Sequence, residues 1–410
     1  MSVPLSQPSI GEREIDYVTR VLRSGKLSLG PTVEEFEEKF AVYIGTRYAV
    51  ATNSGTSALH LAVKALGIGS GDEVLTTSFT FAASVNCLLF ERAMPAFVDI
   101  DAPTLNLDPA QLREVLARDY LWDRSRSRLV NRESGRTLKA ILPVHVFGFP
   151  CAMAPIVETA REYNLRVIED ACEALGTEYR GRRAGAFGDA AAFGFYPNKQ
   201  ITTGEGGMLV TNDPAIAKIC RSLRNQGRDE DAFRLRHTSL GYNYRLSDLQ
   251  AAVGLAQLES IDELLAARER VAERYSLALA DIRQITLPWN PPGAKRSWFV
   301  YPIRLRGAQA PALRDLLIAG LRSRGIGCQA YFPAVHLQPY FADVAWSPRR
   351  PLPHTEIAAE RCLALPFFPA ITHEQIAEVC AAVREVVADA EQTLADTSRQ
   401  TQEAARAASV

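Results

Sequence analysis

Between two apolar runs, AAAFGF and GMLVTND, lies FYPNKQITTGEGG, residues 195–207, with a single lysine, Lys199, among glycines, threonines and an acid. A lysine at the exit of a buried strand is ordinarily a surface group. One held against low-dielectric surface is neutral part of the time and can attack a carbonyl carbon. Gly204, Gly206 and Gly207 allow close approach of the backbone. Upstream, VIEDACEALG puts Asp170 at the carboxyl end of an apolar strand, where ligands of open α/β sheets bind. A carboxylate there can keep a ring N–H charged, or it can cap the following helix. Glu173, three residues on, either faces the same site or is a solvated first-turn acid favoured by the helix dipole. NSGTSALH places Gly55, Thr56 and Ser57 at a helix start, where free N–H groups and hydroxyls bind phosphate or serve an ordinary cap. TTSFTFAASVN offers Phe79 and Phe81 as ring platforms or as core residues.

A carbonyl-reactive lysine, a carboxylate for a ring nitrogen, a phosphate cradle and an aromatic plate are the four contacts that pyridoxal 5′-phosphate requires. Their joint occurrence is much more specific than any one of them.

These residues fall on an alternation of strands and helices. Residues 11–24 and 32–44 read as amphipathic helices separated by the break SGKLSLGP. Apolar strands follow at 48–52, GDEVLTT, MPAFVDI, LKAILPVHVF, LRVIEDA, DAAAFGF and GGMLVT, most of them between helix-like or turn-rich segments. Strands apolar throughout that alternate with helices predict an α/β fold with a mostly parallel sheet covered on both faces. From Ser247 a helical period runs for more than thirty residues, LSDLQAAVGLAQLESIDELLAARERVAERYSLALADI, and predicts one long linking helix. Strand-like SWFVYPIRL and CQAYFP and two helical segments then predict a smaller α+β lobe. The expected division is a large cofactor-binding domain over 1–246, a linking helix and small C-terminal domain over 247–395, and a frayed tail over 396–410. Residues 119–138 read as a surface excursion.

The 410 residues carry 46 Lys+Arg against 47 Asp+Glu, which gives no electrostatic reason to expect nucleic acid or a membrane surface as partner. No apolar run reaches the roughly 18 residues of a membrane helix, and MSVPLSQPSIGEREI has no apolar signal-peptide core. The seven cysteines are scattered, with no CxxC pair, so neither a disulfide framework nor a metal site is indicated. A reduced, cytoplasmic protein is expected.

Over nearly its whole length the chain resembles the DegT family of sugar-nucleotide aminotransferases, which have the aspartate-aminotransferase (fold type I) architecture. The resemblance is carried by SGKLSLGPTVEEFEEKFA, ATNSGTSALHLA, GDEVLTTSFTFAASVN, IEDACEALGTEYRGRRAGAFGD, FGFYPNKQITTGEGGMLVTND, RNQGR, GYNYRLSDLQAAVGLAQLE, YFPAVHLQPYF and LALPFFP. It implies that Lys199 is the lysine that bonds the cofactor and moves the proton in transamination. It implies that Asp170 partners the pyridine nitrogen and that Glu173 lies near the ring oxygen. Thr56 and Ser57 match the family's phosphate-binding pair and Phe81 its stacking aromatic. Asn243, in GYNYR, matches an asparagine that reaches the cofactor phosphate of the neighbouring subunit, so a homodimer with shared sites is implied. One departure is Gly194, where the family usually has a phosphate-binding serine. The family's usual amino donor is L-glutamate and its acceptor a keto group on a nucleotide-linked sugar.

The block GCQAYFPAVHLQPYF, with SWFVYPIRL before it, is most similar to the perosamine synthases, which aminate C4 of GDP-linked 4-keto-6-deoxymannose. That likeness puts Tyr331 and His336 near the sugar and Ser28 near substrate phosphates or hydroxyls; His336 is equally readable as a loop-packing histidine. Enzymes for UDP- or dTDP-linked keto-sugars share this texture. Two other classes stay open. A dehydratase on the same fold and cofactor would normally lack Lys199. A non-catalytic sugar-nucleotide-binding regulator should lose Lys199, Asp170 or the cradle.

Overall fold

The computed structural model describes residues 2–125, 127–228, 236–291, 294–344 and 350–407. Helices α1 (Glu12–Ser24) and α2 (Pro31–Ile44) precede the alternation β1 (Tyr48–Thr52), α3 (Gly55–Ala65), β2 (Asp72–Thr77), α4 (Ala83–Leu89), β3 (Met94–Val98) and α5 (Pro109–Asp119). A hairpin of β4 (Tyr120–Asp123) and β5 (Arg128–Asn131) leads to β6 (Thr137–Leu142), α6 (Met153–Glu162) and β7 (Arg166–Asp170). The short strands β8 (Glu178–Tyr179) and β9 (Arg182–Arg183) come before β10 (Ala190–Gly194), β11 (Gly207–Thr211) and α7 (Pro214–Arg224). The C-terminal part holds α8 (Asp248–Glu259), α9 (Ile261–Leu279), β12 (Ile285–Thr286), β13 (Ala294–Lys295), β14 (Tyr301–Leu305), α10 (Ala310–Ser323), α11 (Pro353–Arg361), β15 (Cys362–Leu365) and α12 (His373–Ala407).

The central sheet has the order β1-β11-β10-β7-β6-β2-β3. Pairs β2–β3, β2–β6, β6–β7 and β7–β10 are parallel, whereas β11 runs antiparallel to both β10 and β1. Each central strand sends alternate residues to two buried faces, as period-2 geometry requires. Ala192 of β10 joins Val50 and Leu59 on the face covered by α3. Phe193 joins Phe36, Phe40 and Leu255 on the face covered by α2 and α8. Burial on both faces is why these strands read as unbroken apolar runs. A second, antiparallel sheet, β12-β14-β15, packs its apolar residues with those of α10 and α12.

The structure departs from the sequence expectations at four places. The long helical period is broken at Ser260 into α8 and α9, with Asp262 and Glu263 in the first turn of the second helix, where acids favour a new N-terminus. CQAYFP forms no strand; it contributes a single bridge, Gln329 to Ala364, and its aromatic rings turn towards the central sheet. The 119–138 excursion is the β4–β5 hairpin, paired to β6 and closed over buried Glu73, which accepts from Tyr120 Oη (2.8 Å), Asn131 Nδ2 (2.9 Å) and Ser134 Oγ (2.7 Å). Helical backbone continues to Ala407, through most of the segment expected to fray.

Candidate active site

The strand order changes direction between β2 and β6, and a crevice opens at such a switch point beyond the strands' carboxyl ends. Here it is a cavity of about 410 Å³. Its walls come from the residues after β1 (Ser54, Gly55, Thr56), after β2 (Thr80, Phe81), after β6 (Val144), at the end of β7 (Asp170) and at the end of β10 (Gly194). The loop 195–206 supplies Lys199, and Phe299 and Tyr331 reach in from the C-terminal part.

Lys199 is placed by backbone geometry. Its N–H donates to Tyr196 O (2.9 Å), and Thr203 N–H returns to Phe195 O (3.0 Å), which closes the loop between β10 and β11. Gly207 is where close backbone approach is required. A Cβ there would lie 2.4 Å from the Ser54 carbonyl carbon, so only glycine lets β11 approach the start of α3 this closely. The Lys199 side chain is 15% exposed, with Nζ 3.5 Å from Glu173 Oε1. Nζ also lies 3.8 Å from the centroid of the Phe299 ring, whose face attracts a cation. Glu173 faces the cavity and is not a solvated first-turn acid. Its Oε2 accepts from Phe147 N–H (2.9 Å), and burial raises its pKa, with the Lys199 charge acting in the opposite sense.

Asp170 is buried, with Oδ2 accepting from Ser84 Oγ (2.6 Å) and Oδ1 from Cys172 N–H (3.1 Å). These bonds hold the carboxylate plane. Ser54 caps α3 by accepting from Ser57 N–H (3.1 Å). The Gly55 and Thr56 N–H groups, which have no intrahelical partner, are left at the cavity wall. The Ser57 hydroxyl turns away and donates to Asn53 Oδ1 (2.7 Å), so the cavity-lining hydroxyls of this turn are those of Ser54 and Thr56. Phe79 is a core residue packed edge-on against Phe147, whereas Phe81 stays 63% exposed at the cavity. A phenylalanine at a pocket wall offers a flat apolar face.

The structure brings Gly55, Thr56, Phe81, Asp170, Glu173, Lys199 and Tyr331 to one cavity. Besides Ser57, three further expected residues do not line it. Asn243 is exposed, with its neighbours Tyr242 and Tyr244 turned inward against His60. Ser28 is exposed and bridged to Ser247. His336 is packed: its N–H donates to Ser78 Oγ (3.0 Å), the Ser78 hydroxyl meets Nδ1 (2.7 Å), and Nε2 lies 3.5 Å from Glu356. Burial lowers its pKa. It is packed within its loop and does not line this cavity. Residues with no sequence signal of their own also belong to the site: Ser84, Cys172, Tyr196 and Phe299.

A mostly parallel sheet with a lysine, a buried strand-end carboxylate and a free helix N-terminus at one crevice defines a pyridoxal-phosphate-dependent transferase of fold type I. The DegT/DnrJ/EryC1/StrS aminotransferase family matches residues 8–384, and the chain belongs to that family. It is 40% identical over 391 residues to the GDP-perosamine synthase of Caulobacter vibrioides, covering 94% of this chain and 98% of that protein. Among solved structures it is similar to DesI, determined in the presence of its TDP-sugar product (33% identity, TM-score 0.82, 95% of this chain and 94% of that one). It is also similar to NtdA from Bacillus subtilis with bound cofactor PMP (30% identity, TM-score 0.79, 92% of this chain and 81% of that one). The protein is thus an aminotransferase of a sugar-nucleotide family, and its cofactor is pyridoxal 5′-phosphate. Among the described residues no helix is long and apolar enough to cross a membrane.

Proposed function

We propose that the enzyme moves an amino group from L-glutamate to C4 of GDP-4-keto-6-deoxymannose, in the cytoplasm, as a homodimer with shared active sites. The observation that carries the reaction is the convergence of Lys199, Asp170 and the start of α3 on one cavity. The likeness to a GDP-perosamine synthase over nearly both full lengths supports the sugar and its nucleotide.

The residues present fit the cofactor. Asp170 would hold its ring nitrogen charged, Phe81 would stack on the ring, and Gly55, Thr56 and Ser54 would bind its phosphate. When bound, pyridoxal phosphate supplies an electron sink for breaking and remaking a C–H bond beside nitrogen. The chain's own part is proton management. Lys199 Nζ, on a mostly buried side chain at the cavity wall, takes and returns the proton. Glu173, whose pKa burial raises, faces that amine with Oε1 3.5 Å from Nζ. Ser84 keeps the Asp170 carboxylate oriented. Asn243, exposed on its own chain, would reach the phosphate bound by the partner.

The test is turnover of candidate sugar nucleotides with glutamate, reading 2-oxoglutarate and the mass and C4 configuration of the amino sugar. Turnover of GDP-4-keto-6-deoxymannose with one 2-oxoglutarate per amino sugar is expected. Preference for a dTDP- or UDP-linked keto-sugar overturns the substrate. Release of water or ammonia without glutamate consumption overturns the reaction in favour of dehydration. Binding without turnover favours a regulator.

A further inference from the structure

Arg268, on α9, is 3% exposed. Among the described residues no carboxylate pairs with it, and burial alone pulls its pKa down to about 10. An unpaired buried cation is expensive and persists only where its donors are used. Arg268 spends four of them on backbone carbonyls. Nη2 donates to Lys199 O (2.6 Å) and Asn198 O (3.4 Å), and Nη1 to Phe299 O (3.2 Å) and Trp298 O (3.3 Å). The first pair carries the Lys199 side chain. The second carries the Phe299 ring, which lies 3.8 Å from Lys199 Nζ. Gln200 fastens the same two segments a second time, donating from Nε2 to Glu173 O (2.6 Å) and Ser297 O (3.1 Å). The rigid fork of a guanidinium can span two chain segments in this way; an ammonium cannot.

We infer that Arg268 is a positioning residue that clamps the Lys199 turn to the Trp298–Phe299 segment, so that the lysine amine is held between the Phe299 face and Glu173. It touches neither cofactor nor substrate. It joins the turn after β10 to the stretch leading into β14, and so ties the lysine to the C-terminal part of the chain. This rests on the reading of Lys199 as the cofactor lysine.

The test uses full-length Arg268→Lys and Arg268→Met, checked for fold by circular dichroism and gel filtration. Added pyridoxal phosphate is trapped on the protein with borohydride, and the modified peptide is located by mass. In a second readout, cofactor-free protein is acylated briefly, and Lys199 is compared with exposed Lys139 as internal standard. Wild-type protein should be trapped at Lys199. In both variants attachment should slow by roughly tenfold to a hundredfold, the penalty of misplacing a reacting group by about 1 Å. Lys199 should also acylate severalfold faster relative to Lys139. A merely structural role would lower the melting temperature and leave both readouts of the folded protein unchanged. That result, in Arg268→Lys alone if Arg268→Met does not fold, overturns the inference. Trapping of wild-type protein at another lysine would instead overturn the Lys199 reading, and the inference with it.

Discussion

Adding a hydroxyl at position 194 is expected to tighten cofactor binding. Gly194 ends β10 at the cavity wall, and a side chain there falls on the same strand face as Ala192, the face that α3 covers. A Cβ built on Gly194 would meet the Cys172 Cβ at 3.6 Å, its Sγ at 3.7 Å and the Gly55 Cα at 3.8 Å, all ordinary contacts. The added Cβ of Gly194→Ser therefore costs no repacking, and relief of a strand glycine contributes about 0.5–1 kcal/mol of stability. A hydroxyl donating to a phosphate is worth about 1.5–3 kcal/mol. At about 1.4 kcal/mol per decade, the cofactor Kd should fall roughly tenfold to a hundredfold. The assay is an absorbance titration of cofactor-free protein with pyridoxal phosphate. Gly55→Ala is the control, because its Cβ would lie 2.8 Å from Cys172 Sγ and 3.1 Å from the Gly194 Cα, and overpacking there should weaken binding. If folded Gly194→Ser bound the cofactor no more tightly than wild type, the placement of the phosphate beside Gly55 and Gly194 would be wrong.

Glu173 predicts a pH dependence. Its pKa is raised in the fold, so the folded chain holds that proton more tightly than the unfolded chain; its stabilising contribution is complete below the ordinary carboxyl range and is lost as pH rises through the raised value. Cofactor-free Glu173→Gln should therefore lose less stability than wild type as pH rises above about 4.5, measured by urea unfolding; equal slopes would refute this. Glu73→Ala strips two buried donors and one half-buried donor of their acceptor and should cost about 3 kcal/mol, with faster proteolysis at the β4–β5 turn; a loss under about 1 kcal/mol would show that the hairpin is held by apolar packing alone. Lys199→Ala and Asn243→Ala should each be inactive alone and should regain activity when mixed under conditions of proven subunit exchange, since one site of a heterodimer would be intact. No regained activity would count against Asn243 acting across the interface.

Much of the architecture was legible because it is local. Two-faced burial makes β1, β10 and β11 apolar throughout, and the turns between strands and helices carry their own glycines and caps. Lys199, Asp170 and Gly55 could be singled out because each sits where a strand run stops, and strand ends are where an α/β sheet binds ligands. The break at Ser260 was missed because the apolar period continues across it, and the hairpin over Glu73 because its polar, mixed-charge residues read as solvated.

What sequence alone determined was the kind of residue available and the element that carries it. What it left open was every partnership across long separations. Ser84 reaches Asp170 across 86 positions and Arg268 reaches the Lys199 carbonyl across 69. Neither pairing leaves a periodic trace, because one side chain in a helix of ordinary pattern supplies it. His336 shows the same limit: sequence left it readable as a substrate contact or as a loop-packing histidine, and only the tertiary structure packs it against Ser78 and Glu356. Propensity and periodicity are set by neighbours along the chain, whereas the site is set by which faces of distant elements meet, and only the packed tertiary structure decides that.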